Sequence, residues 1–153
     1  MWLSPAVLAA LVITALALPS LASAGESAGW QAYQARDYER AARLWQRDAK
    51  RGEPNALFGL GLLAEREGDE GAAAGWYEKA ARAGLAAAQV LIADRYISGW
   101  GVAADPVTAY AWLSRAIAAG VPNAAAIRDQ LAQGMTADAM RQAEALTETL
   151  VTK

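Results

Sequence analysis

Cysteine and histidine are both missing from this 153-residue chain. Without cysteine there can be no disulfide, thiolate nucleophile, iron–sulfur cluster or cysteine zinc site. Without histidine the commonest metal ligand and the commonest general base are gone, and a Ser–His–Asp triad is impossible. Phenylalanine occurs once, and Val, Ile and Thr are few, so little in the composition favours strands. Neither sign of charge dominates: 14 Lys and Arg stand against 16 Asp and Glu, without the basic surplus of a general nucleic-acid binder. No charged side chain occurs before Glu26.

What is abundant is alanine, the best helix former. The sequence is therefore expected to fold as all-α. At the N-terminus, Leu3 to Leu18 is apolar apart from Ser4, Pro5 and Thr14, and Ala22-Ser23-Ala24 follows as a small-x-small site. The apolar run is shorter than the ~20 residues that span a bilayer comfortably. Residues 1–24 are thus expected to be a cleaved signal peptide, with Gly25 the first mature residue and a periplasmic or secreted destination. The n-region departs from the usual pattern in lacking Lys and Arg. Retention of the segment as a membrane anchor is the competing reading.

Residues 25–153 repeat themselves. Ala41–Gly52, Ala73–Gly84 and Ala109–Gly120 align in phase, and Ala56, Ala88 and Ala124 each follow four positions after the closing glycine. A period in the thirties with two helical patterns per period marks a stack of helix pairs, since one pair cannot bury its own apolar face. Gly52, Gly84 and Gly120 are expected to close helices, and Pro54 and Pro122 to open the next ones. Asp69, Asp105 and Thr136 are expected to cap helix N-termini, and Trp76 and Trp112 to fill the gaps between units.

These residues resemble the Sel-one-like repeat (SLR) family, a subclass of tetratricopeptide-like repeats. In the unit Ala88–Gly120 the resemblance runs through Ala88, Ile92, Ala93, Tyr96, Gly99, Gly101, Val102, Asp105, Ala109, Trp112, Ala116 and Gly120. The unit Ala56–Gly84 has a shorter inter-helix loop and Ala64 at the tyrosine position. The first unit, about 27–52, is closer to an ordinary tetratricopeptide unit, and 124–150 resembles a helical cap. The resemblance implies a short α/α solenoid of about three helix-turn-helix repeats plus a C-terminal capping helix. It also implies a role in holding proteins or peptides, and no activity.

Searches for chemistry end in elimination. The three lysines, Lys50, Lys79 and Lys153, are preceded at Ser-x-x-Lys spacing by Arg47, Trp76 and Leu150, and no phosphate loop occurs. Glu65, Glu67 and Asp69, with Asp94 from the next unit, leave a carboxylate pair as the sole catalytic option, one that can cleave glycosidic bonds. Against it, Glu65-Arg66-Glu67 reads as a solvated helix end, and Asp94-Arg95 as a ready ion pair. Arg36, Arg40, Arg43, Arg47 and Lys50 or Arg51 recur at three-to-four spacing, a basic helix face able to meet an acidic partner or anionic headgroups. By tetratricopeptide analogy the concave groove takes Trp30, Tyr33, Phe58, Leu62, Glu65, Asp94 and Ile97, with Gln130 from the cap. Large apolar groups mixed with charge suit a held peptide. The expectation is an exported, non-enzymatic scaffold of the bacterial cell envelope that binds a protein or peptide in this groove, with no cofactor, no nucleic acid and no stable membrane insertion after cleavage. The alternative is a carboxylate-dependent hydrolase acting on cell-wall material.

Overall fold

A computed structural model describes residues 27–150; the expected signal segment, 1–24, lies outside the described residues. Among the described residues eight helices follow one another, and there is no strand. They are α1 (Ala28–Gln34), α2 (Tyr38–Ala49), α3 (Pro54–Arg66), α4 (Glu70–Arg82), α5 (Ala86–Ser98), α6 (Pro106–Ala118), α7 (Ala124–Ala132) and α8 (Ala137–Thr149). Each of α1 to α6 packs on its sequence neighbour, and α7 and α8 both close against α6. The all-α solenoid of three helix pairs is as expected, but the cap is two helices rather than one.

Local chemistry sets the boundaries. The Asp37, Asp69 and Thr136 side chains accept from the backbone N–H three residues on, and Asp105 accepts from both Val107 and Thr108, satisfying N–H groups that the first turn leaves open. Pro54 and Pro106 sit in the first turn of α3 and α6, where a missing N–H costs nothing. Pro122 does not open a helix: it lies in the turn before Asn123, whose φ of 65° reverses the chain ahead of α7. Gly101 is the glycine the fold can least replace. Its φ is 79°, and a Cβ there would run into the backbone of Glu70, so the inter-helix loop can lie against the start of α4 only without a side chain.

The small residues that recur through the repeat are the buried ones. Ala41, Ala73, Ala80, Ala88, Ala93, Ala109 and Ala116 are completely inaccessible, which lets the helices approach closely. The large side chain buried in every unit stands four residues after the first alanine: Trp45, Tyr77 and Leu113. Trp45 lies between Gly29 and Gly59, and Tyr77 lies against Gly61, positions where an added methyl would overlap the ring. Trp112, one position earlier in the register, is also buried, whereas Trp76 is only half-buried under the Lys79 ammonium, 4.1 Å from its ring. Trp76 does bridge units, since it packs against both of the chain's apolar clusters.

Candidate functional site

The seven residues expected in the groove come from α1, α3 and α5, and four of them are held as packing. Trp30 and Tyr33 enter an aromatic group with Trp45 and Tyr38, at ring separations of 5.3 to 5.8 Å. Phe58 lies 5.4 Å from the Tyr77 ring. Leu62, half-buried, also packs on the core. Ile97 is different: at 40% exposure it is the one large hydrophobic among the described residues that stands in solvent. Asp94, one turn before it, is half-buried, and burial raises its carboxyl above the usual range despite the opposing pull of Arg95. Gln130 on α7 is exposed.

Glu65 is no solvated helix end. One of its oxygens accepts from Arg95 Nη2 at 2.8 Å, the other from the Tyr77 hydroxyl at 2.6 Å. Arg95 Nη1 reaches Glu70 at 3.1 Å, and the guanidinium is 1% exposed with the Trp100 ring 4.1 Å away. Thus Arg95 does not pair with its neighbour Asp94, as its adjacency suggested; it ties the end of α3 and the start of α4 to α5. Burial first, and then the bond to Glu65, push the Tyr77 hydroxyl far above its ordinary range, so it remains a donor. Sequence reasoning gives Arg95 the wrong partner, Asp94, and gives Tyr77, Glu70 and Trp100 no part in a site. The available signal was the repeat register, in which Arg95 falls at the place of the buried Leu63, a charge where the preceding unit has an apolar side chain.

With both oxygens committed, Glu65 is poorly placed to give or take a substrate's proton. Among the described residues no group of three or more acidic side chains is arranged to hold a metal ion. The basic face of α2 is broken up. Arg36 lies in the turn before the helix at φ 62°, Arg43 faces Glu39, and Arg47 and Arg51 share Asp48.

Two open clefts lie elsewhere, one where α2 and α4 pack on α3 rather than closely on each other, the other between the start of α2 and the end of α3. One, about 220 Å³, has the buried Leu60, Leu63 and Ala64 as its floor and Ala42, Gln46, Glu67, Asp69, Ala72 and Trp76 around them. The other, about 530 Å³, shares Ala42, Leu63 and Glu67 and continues past Tyr38, where the Arg66 guanidinium lies 3.7 Å from the ring. None of the seven groove residues lines either cleft.

Solved structures share this arrangement. A protective antigen present in uropathogenic Escherichia coli strains, displaying an SLR fold, is 32% identical over 82% of this chain, with a TM-score of 0.72. The chain has the SLR repeat fold and resembles that family. It spans 28% of the length of that antigen. A Sel1 repeat protein from Oxalobacter formigenes is 29% identical with a TM-score of 0.56, the match covering 80% of this chain and 84% of that protein. No protein-family model and no curated protein matches the chain.

Proposed function

We propose that this SLR-fold protein is a non-enzymatic scaffold of the bacterial cell envelope, exported by residues 1–24 and binding a protein or peptide through the α1, α3 and α5 face. The SLR fold itself favours protein interaction. The observation that carries the finer reading is Ile97: a β-branched side chain left 40% exposed one turn from a half-buried carboxylate, on a helix whose opposite side is fully packed. With Asp94 beside it, Ile97 gives this face one apolar contact and one charge to offer a partner. The destination rests on the uncharged apolar N-terminus and Ala22-Ser23-Ala24.

Two experiments test the reading. N-terminal sequencing of the exported protein should give Gly25, and Ala24 replaced by a bulky residue should leave an unprocessed precursor; normal processing of that variant defeats the export assignment. Affinity capture from envelope extract with the purified chain as bait should lose its specific partner on Ile97→Lys while the melting temperature stays unchanged. Undiminished capture by that variant removes the α5 face from the interaction.

A further inference from the structure

The repeat supplies its own control for the smaller cleft. One repeat on from Ala64, in the same register, stands Tyr96, and one repeat on from Gln46 stands Glu78. In the later unit these two meet: the Tyr96 ring packs on the core and its hydroxyl donates to Glu78 at 3.3 Å, bridging α4 and α5. In the earlier unit Ala64 and Gln46 both line the cleft, and the ring that would span it is missing. The cleft is the vacancy left by one aromatic side chain. Its apolar floor and size agree, since a cavity of about 150 Å³ can already hold a benzene ring. At its rim the Gln46 amide makes no protein hydrogen bond among the described residues, so it keeps the acceptor role that Glu78 plays for Tyr96.

We propose that this cleft receives a tyrosine side chain from a bound peptide, its ring on Leu60, Leu63 and Ala64 beside Trp76 and its hydroxyl donating to the Gln46 carbonyl oxygen. The adjoining larger cleft, reached through Ala42, Leu63 and Glu67, gives room for the residues that flank the tyrosine. The inference rests on the scaffold reading but uses a different face from Ile97, so each can fail alone.

The probe is N-acetyl-tyrosinamide, followed by the indole N–H resonance of Trp76 in the full chain. A saturable shift is expected, half-complete on the order of millimolar, as befits a single side chain, with none from N-acetyl-alaninamide. Ala64→Tyr should abolish the shift and melt no earlier than the parent, because it restores the filling that Tyr96 gives the next unit. Gln46→Leu should keep the response to N-acetyl-phenylalaninamide and weaken that to N-acetyl-tyrosinamide several-fold. No shift at any soluble concentration overturns the proposal, as does a shift that survives Ala64→Tyr, or clear destabilisation by that substitution. An equal response to N-acetyl-lysinamide also overturns it, because Glu67 and Asp69 would then be selecting a cation rather than the cleft selecting a ring.

Discussion

At the scale of single residues, position in the repeat register separates side chains that look alike in sequence. Trp112 is sealed between helices, whereas Trp76 keeps one side toward a cleft and Lys79. Truncating Trp112 to Ala should therefore cost ~3–5 kcal/mol by lost burial and cavity formation. Trp76→Ala should cost about half as much, which thermal or urea unfolding of the two variants will check. Gly59→Ala tests the opposite error: its methyl would overlap the Trp45 ring, and overpacking of this kind costs about 1–3 kcal/mol. Asp94 yields a pH prediction. Burial raises its carboxyl in the folded chain above the unfolded value near 3.9. Between those two values the folded chain holds more protons, so stability falls as pH rises through the window and returns on acidification. Asp94→Asn should then raise the melting temperature slightly at pH 7, and the gain should vanish below the unfolded pKa. A gain independent of pH would refute burial of the charge as its cause.

At the scale of elements, the apolar joint between α3, α4 and α5 also carries a buried ion-pair network. Arg95 reaches back to Glu65 at the end of α3 and to Glu70 at the start of α4, and Gly101 brings the following loop onto Glu70 from the other side. Glu65→Ala removes two charge-assisted or hydroxyl hydrogen bonds at once and strands much of a buried guanidinium, so a loss of about 2–3 kcal/mol is expected in denaturant unfolding. Helix order, caps and closing glycines were legible in the sequence because each follows from near neighbours: Asp69 and Asp105 cap, and Gly52, Gly84 and Gly120 turn with positive φ. The site was much less so. Helical spacing placed Phe58, Leu62 and Glu65 on one face of α3, but only the packing of α4 decides that Phe58 meets Tyr77 and that Glu65 is engaged by its hydroxyl. Arg95 escaped for the same reason, since a partner in the preceding unit leaves no local pattern.

At the scale of the whole molecule, stacked units share stability only through the surfaces they have in common. The buried apolar residues form two clusters: one around Ala32, Ala41, Trp45, Ala56, Leu60 and Leu63, the other running from Leu57 and Tyr77 to Ala124. Ala49 and Trp76 are the partly buried side chains that pack against both. Among the described helices α1 and α2 meet the rest of the stack chiefly through α3, so this terminal pair is expected to open as one unit. Amide hydrogen exchange should find α1 and α2 losing protection together, at a lower opening free energy than α4 to α6. The cleft that holds the Ala64 vacancy straddles the same join, with Ala42 and Gln46 on α2 and Ala72 and Trp76 on α4. An occupant there bonds the looser unit to the firmer one, so binding would be read in the protection of α2 amides well before any change in global melting.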